Sequence, residues 1–429
     1  MHRISIVLGK TVGKISNKLN RAGSTWPGHI ALKINSNFIH SVLKNNPQMK
    51  VVLVAGTNGK TTTTKLIQEI LENEGHKVFR NEAGANLLNG IASSIVLNSD
   101  ITGKLPFDIA LFEVDENSLP LVLDQIKPFG IILLNLFRDQ LDRYGEVNSI
   151  AKKWQLALGK VSKQTLLVTN GDDPMLSFIG EKSGLNSFYF GLAEKYMKVG
   201  VAPHDVDFLY CPQCKTKLTY KMRSYSHMGI FECPSCKFTH DKTETFSDLP
   251  NPMLGNYNKY NINAAALLLT KGFQVEKSAI ENVLKKFSPA FGRQEEMEYK
   301  GKNIFLLLSK NPTGFNQSIQ GILEKDKNPN VLLLLNDKIP DGRDVSWIWD
   351  VEFEELKNAK QITISGDRAY DMGIRMKYAD ISKFEVSENL NESLDNAASV
   401  MKSGETLFIL ATYSAMLEVR NILKGRKIL

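Results

Sequence analysis

The chain has 429 residues, a formal net charge of +7, and hydrophobic and charged fractions of 42 % and 23 %, proportions of an ordinary globular protein with material for two or three cores. No apolar run reaches the roughly 18–20 residues that a bilayer crossing needs. Ile4-Ser-Ile-Val-Leu8 is too short for a secretory segment and no small-residue cleavage site follows it, so the expected location is the cytoplasm.

The first fifty residues contain eight Lys or Arg and no Asp or Glu. Ile4, Leu8, Val12, Ile15 and Leu19 recur at helical spacing, which predicts a basic amphipathic helix. Such a helix can be drawn to an anionic membrane leaflet or a phosphorylated lipid. The preferred expectation is a helix packed on the following domain, its basic face solvated. Gly23-Ser-Thr-Trp-Pro-Gly28 reads as a loop before a second short helix.

Val51-Val-Leu-Val54 is a buried-strand pattern running into Gly56-Thr57-Asn58-Gly59-Lys60-Thr61, and Leu66, Ile67, Ile70 and Leu71 continue at helical spacing. Strand, glycine turn, Lys-Thr and helix form a phosphate cradle: the glycines let backbone N–H groups approach, the Lys adds a point charge, and the hydroxyl suits Mg²⁺. The usual P-loop spacing would place a glycine at position 54, where Val54 stands, so the form here is a shorter one. An ATP site is expected, with Gly56, Thr57, Asn58, Gly59, Lys60, Thr61 and Thr62 around the phosphates.

Further strands are predicted at 77–79, 108–113, 131–135 and 165–169, giving an α/β sheet. Glu113-Val-Asp-Glu116, Asn135–Asp142 and Asn170-Gly-Asp-Asp-Pro174 follow three of them and are expected to be metal- and substrate-binding loops. Cys211-Pro-Gln-Cys214 and Cys233-Pro-Ser-Cys236, 18 residues apart, have zinc-ribbon spacing. Four thiolates leave no open coordination position, so Cys211, Cys214, Cys233 and Cys236 are expected to hold a structural Zn²⁺. Tyr220, Lys221, Arg223 and Tyr225, between the pairs, are expected to cover the outside of the ribbon; nucleic acid is not the expected partner.

Gly255–Ala265 opens a helix whose Asn258 and Asn261 suit a nucleoside, and Gly292-Arg293-Gln-Glu295 closes the domain, with Arg293 within possible reach of a phosphate. Strands predicted at 303–308, 330–335, 361–364 and 405–410 then form a smaller α/β domain. Within it, Pro340–Asp350 carries Trp347 and Trp349 among acids, equally consistent with a recognition surface and with a core helix start. The expected division is 1–50, 51–295 with the ribbon inserted at 205–242, and 296–429.

Taken together, Gly-Thr-Asn-Gly-Lys-Thr (56–61), Glu113, Asn-Gly-Asp-Asp-Pro (170–174), Gly-x-Tyr-Asn-x-x-Asn-x-x-Ala-Ala (255–265) and Gly-Arg-Gln-Glu (292–295) resemble the Mur ligase family of peptidoglycan synthesis in order and spacing. Asn81–Asn86, the cysteine insertion and Asp341-Gly-Arg-Asp-x-Ser-Trp-Ile-x-Asp350 make the chain similar to that family's amidating, glutaminase-linked branch. The resemblance implies ATP-dependent amidation of the α-carboxylate of D-Glu in the lipid II stem peptide, through an acyl phosphate. The ammonia would come from a GatD-like glutamine amidotransferase, and the work would be done at the cytoplasmic face of the membrane. It further implies Lys60 and Glu113 as catalytic groups, Thr61 and Glu113 on Mg²⁺, Asn258 and Asn261 on the nucleoside, and Arg293 on phosphate. Asp350 would complete the partner's Cys-His-Asp triad, with Asp344 as its competitor. The family's D-H-L-D-x-H region reads Asp139-Gln-Leu-Asp-Arg-Tyr144, which lacks a metal-binding His and puts a second Mg²⁺ in doubt. Its D-x-x-H-N-P loop, which in ordinary members helps position the incoming amino acid, reads Leu308-Ser-Lys-Asn-Pro312, a change that fits ammonia in that place. A free-standing amino-acid ligase is the alternative.

Overall fold

A computed structural model describes residues 2–18, 25–81, 84–138, 147–199, 205–240, 243–289 and 293–424. Three short helices, α1 (His2–Lys18), α2 (Trp26–Ile34) and α3 (Phe38–Lys44), precede strand β1 (Lys50–Ala55). Helix α4 (Lys60–Asn73), β2 (Val78–Arg80), α5 (Leu88–Asn98), β3 (Ile109–Val114), α6 (Leu119–Gln125), β4 (Gly130–Leu133), α7 (Val147–Leu158), β5 (Leu166–Asn170), α8 (Pro174–Ser183) and β6 (Asn186–Phe190) follow. The six strands form one parallel sheet in the order β2-β3-β1-β4-β5-β6. Val51, Leu53 and Ala55 face one apolar layer and Val52 and Val54 the other. That two-sided burial explains why the strand reads as an unbroken apolar run.

The hairpin β7 (Thr219–Tyr225) and β8 (Met228–Glu232) is inserted before α9 (Asn258–Phe273) and α10 (Lys277–Leu284), which return to cover the first sheet. Strand β9 (Arg293–Tyr299) opens a second six-stranded sheet with β10 (Lys302–Leu308), β11 (Asn330–Leu334), β12 (Gln361–Ser365), β13 (Glu385–Val386) and β14 (Thr406–Ala411). Its order is β13-β12-β11-β14-β10-β9, parallel except for β9. Helices α11 (Pro312–Lys325), α12 (Ala369–Tyr378), α13 (Leu390–Ser399) and α14 (Tyr413–Lys424) cover its two faces. No helix among the described residues is long and apolar enough to cross a membrane.

Helix α1 corrects the sequence reading. It does pack on the nucleotide-domain side of the chain, against α2 and α5. The buried face, however, is Ser5, Ile6, Gly9 and Gly13, while Ile4, Leu8 and Ile15 of the expected apolar stripe are 59 %, 45 % and 52 % exposed. Close approach decides the face. A Cβ on Gly9 would lie 2.9 Å from both Pro27 O and Val96 Cγ1, so the small-residue side fits where a wider stripe would not.

Candidate active site

Strand β1 ends where the sheet order reverses, between β3 and β4, and open α/β sheets bind ligands just beyond such a point. From Ala55 the chain turns through 56–59 into α4. Gly59 has φ +90°, and a Cβ there would lie 2.1 Å from Asn261 Oδ1; Gly56 has φ +146°, and a Cβ there would lie 2.9 Å from Leu134 Cβ. Only glycine meets both demands. No side chain caps α4, so its first N–H groups and the positive end of its dipole face the turn. Asn135 braces the turn by accepting from Asn58 N at 2.8 Å and donating to Asn58 O at 3.0 Å.

Lys60 is buried. Its ammonium donates to Gly56 O and to Thr57 O (3.2 Å) and lies 3.4 Å from Glu116 Oε2. Glu113, also buried, accepts from the Thr61 hydroxyl at 2.9 Å and the Thr64 hydroxyl at 3.0 Å, and its own N–H donates to Asn81 Oδ1 at 2.8 Å. A buried carboxylate touching a hydroxyl at the mouth of a phosphate turn is a hard-oxygen donor set of the kind Mg²⁺ takes. Burial, with the Glu116 charge beside it, pushes the Asp115 carboxyl above its ordinary range. Burial pushes Glu116 the same way, but Lys60 and Lys310 outweigh it and hold that carboxyl below its ordinary value. Glu116 is therefore an ionised counter-ion for Lys60. The sequence groups 113–116 as one ligand-binding loop without singling out Glu116, although an acid three residues beyond the strand-end Glu is a signal for it.

The cleft over the turn is lined by Asn58, Gly59 and Thr62, by Asn258 and Asn261 of α9, and by Lys310 and Thr313 from the second sheet's side. Asn258 Nδ2 donates to Leu254 O at 2.8 Å and Asn261 Nδ2 to Asn258 Oδ1 at 3.0 Å, so the two amides brace each other at the wall. Asn58 and Asn311 exchange side-chain hydrogen bonds of 3.4 and 3.3 Å across the cleft, and Asn311 caps α11 by accepting from Gly314 N at 2.7 Å. The side chain of Arg293 and the whole of Asp139–Tyr144 lie outside the described residues.

The loop Asn170–Pro174 departs from its expected ligand-binding role. Asp173 caps α8 through Met175 N (2.9 Å) and Leu176 N (3.1 Å), and it meets His227 at 3.3 Å. Asp172 accepts from Leu192 N (2.9 Å), Tyr260 Oη (2.6 Å) and His240 Nε2 (2.7 Å). Both carboxylates have no solvent exposure and hold the inserted hairpin and α9 to the sheet. The hairpin's aromatics also turn inward instead of covering its outside: Tyr225 packs on Tyr260 and Phe137, and Tyr220 Oη donates to His227 O at 2.9 Å.

The two cysteine pairs adopt the same turn. Lys215 N donates to Cys211 O and Lys237 N to Cys233 O, and both Lys residues have positive φ, 64° and 61°. All four Sγ atoms lie within 4.8 Å of one another, with Cys211–Cys236 at 3.6 Å and Cys214–Cys233 at 3.4 Å. A tetrahedral Zn–S shell of about 2.3 Å sets sulfurs about 3.8 Å apart, so the donor set fits a thiolate-bound metal.

On the second sheet's side, Asp350 is about one-third exposed and lies 3.3 Å from Arg138 Nη1, while Arg138 also pairs with the buried Asp207. Asp344 is turned back on its own chain, accepting from Ser346 N at 2.8 Å. The two tryptophans divide between the alternatives: Trp347 packs on Phe315, whereas Trp349 stays half-exposed against Tyr378.

Comparison with known proteins agrees with this architecture. Residues 54–269 match the Mur ligase middle domain family and residues 308–416 the MurT ligase C-terminal family. The chain is 31 % identical to the Streptococcus pneumoniae protein named lipid II isoglutaminyl synthase (glutamine-hydrolyzing) subunit MurT, over 99 % of this chain and 97 % of that one. A solved pseudomurein peptide ligase type C from Methanothermus fervidus is similar with a TM-score of 0.66 and 21 % identity, covering 90 % of this chain and 81 % of that one. MurF from Thermotoga maritima, solved in complex with ADP, gives a TM-score of 0.64 at 17 % identity, over 92 % and 84 %. At those identities the two structures speak for the fold alone.

Proposed function

We propose, from the premise that this chain belongs to the Mur ligase family and within it to the MurT subunits, that it is the synthetase subunit of a lipid II isoglutaminyl synthase. It is an ATP-dependent carbon–nitrogen ligase of cell-wall synthesis. The observation that carries the site reading is the buried Thr61–Glu113 contact beside Lys60 at the phosphate turn.

The substrate is the α-carboxylate of D-Glu in the lipid II stem peptide. One carboxylate oxygen bonds to the γ-phosphorus of ATP as the bond to ADP breaks, which gives an acyl phosphate. Ammonia then bonds to the carbonyl carbon, the C–O bond to phosphate breaks, and one proton passes from nitrogen to the departing phosphate, leaving D-isoglutamine. Residues 56–62 hold the phosphates through backbone N–H groups. Lys60, released from Glu116, neutralises charge on the group in transfer. Thr61 and Glu113 would hold Mg²⁺, which supplies Lewis-acid neutralisation of phosphate oxygens. Asn258 and Asn261 would face the nucleoside, and Arg293 the phosphates. The four cysteines would hold a structural Zn²⁺.

All four cysteines of the chain sit in the two pairs, which leaves no thiol to attack glutamine. A GatD-like glutamine amidotransferase is therefore the proposed partner, at the cytoplasmic face of the membrane. Asp350, about one-third exposed beside Trp349 and 3.3 Å from Arg138, would orient a partner histidine by the likeness to MurT subunits; Asp344 accepts from Ser346 N.

The test is amidation of lipid II with ATP and free ammonium, read by mass spectrometry of the stem peptide. Product that disappears in Lys60→Ala supports the reading. Turnover that needs an amino acid, and no amide with ammonium or with glutamine plus the partner, would replace it with the amino-acid ligase.

A further inference from the structure

The exposed side of α1 has no use in the chemistry above, and it is unusual for a monomer surface. With Ile6, Gly9 and Gly13 turned inward, 100° per residue puts Ile4, Val7, Leu8 and Ile15 on the opposite side, and all four are exposed. Neighbouring segments carry further exposed apolar side chains. Leu97 in the last turn of α5 and Ile101 after it are exposed, and Lys10 bonds to Ser99 O, which holds that segment beside α1. A Cβ on Gly13 would lie 3.4 Å from the Leu97 side chain and 3.3 Å from Pro27, the neighbour of exposed Trp26. Isolated exposed apolar residues need no explanation, but a contiguous set on one helix marks a docking surface.

Charge decides what docks. Arg3, Lys10 and Lys14 run along one flank of the apolar stripe, and the first fifty residues carry no acid. Asp100, next to the Ser99 that Lys10 bonds, is itself bound to Thr102 and Lys104 of its own turn. A basic flank on an outward apolar stripe is the pattern of a helix that lies in the headgroup layer of an anionic bilayer.

We infer that α1, with Leu97, Ile101 and Trp26 beside it, docks the protein on an anionic phospholipid surface. The position suits the work: α5 spans about 16 Å from its start beside the Ala85 carbonyl, which accepts from Asn81, the partner of Glu113, to Leu97 under α1. A headgroup of sugar–peptide size anchored in the layer would thus be brought toward the Glu113 side of the phosphate turn. That last step rests on the proposed reading of the cleft; docking itself does not.

The experiment is co-sedimentation of the full chain with vesicles of phosphatidylglycerol and phosphatidylcholine, beside vesicles of phosphatidylcholine alone. The expected result is binding to the anionic vesicles that weakens with salt and falls at least about tenfold in Ile4→Ser/Leu8→Ser. Arg3→Glu/Lys14→Glu should remove the preference for anionic lipid. Because these side chains are exposed, melting temperatures should match the unsubstituted protein. Amidation of a lipid-free substrate analogue should be unchanged in both variants, which separates failed docking from failed chemistry. No binding to anionic vesicles, equal binding by Ile4→Ser/Leu8→Ser, or light scattering that shows a dimer dispersed by that variant would overturn the inference, the last by making the face a contact between copies.

Discussion

Asp172 offers a direct way to separate a structural carboxylate from a ligand-binding one. Its Oδ2 accepts from Leu192 N and Tyr260 Oη and its Oδ1 from His240, with no solvent exposure. In Asp172→Asn the amide keeps its oxygen toward Leu192 and Tyr260, because the reverse orientation would set a donor against two donors. The nitrogen then faces His240, which can present its unprotonated nitrogen. Two charge-assisted bonds become neutral ones, at a cost of about 1 kcal/mol each, or about 2–3 kcal/mol with the weakened His240 contact. Asp172→Ala removes both acceptor oxygens with their three hydrogen bonds and strands a buried N–H, costing about 4–6 kcal/mol. Scanning calorimetry should show the first domain's transition lowered by about 5–10 °C in Asp172→Asn. Isothermal titration should find ADP affinity within about threefold of the unsubstituted protein, since the carboxylate does not face the phosphate turn. Unchanged melting together with a tenfold loss of ADP affinity would refute the structural assignment.

Other expectations are equally direct. Gly59→Ala forces a side chain to φ +90° and into Asn261 Oδ1; ADP binding should fall at least about tenfold, with only about 1–2 kcal/mol of stability lost to backbone strain. Stripping metal with a strong chelator should release zinc, detectable by mass spectrometry, and expose the amides of the 219–232 hairpin to hydrogen exchange; a metal-free preparation with the hairpin still protected would speak against a cysteine-bound metal. Asp350→Asn should abolish glutamine-dependent amidation while sparing turnover with free ammonium, and Asp344→Asn should spare both. The opposite ranking would move the partner-facing role to Asp344.

The parts of this protein legible in its sequence are those in which one local signal has one physical meaning. An apolar strand followed by Gly-Thr-Asn-Gly-Lys-Thr has few other uses, and β1 and α4 lie where that pattern puts them. Paired Cys-x-x-Cys turns are equally specific, because a thiolate shell dictates its own spacing. Periodicity on α1 correctly gave a helix, but it cannot say which face turns inward. That depended on Gly9 and Gly13 meeting Pro27 and Val96, partners distant in sequence. Asp172 and Asp173 misled for a related reason. Acids after a strand resemble ligand groups, and only the hairpin donor His227 and the residues Tyr260 and His240 beyond it show that their acceptors are already used. Edge strands β6, β9 and β13 escaped notice because they are partly solvated and lack an unbroken apolar run.

The reciprocal bonds between Asn58 and Asn311 have a consequence for populations. Two neutral hydrogen bonds at 3.3–3.4 Å are long and together contribute on the order of 1 kcal/mol. Alone they would favour the closed arrangement over an open one by only about fivefold, and the rest of the closure is carried by Arg138–Asp350 at 3.3 Å, Thr313–Asp205 at 2.9 Å and Asn256–Glu324 at 2.9 Å. A ligand entering between the two amides would therefore displace this pair at little cost while those other contacts hold.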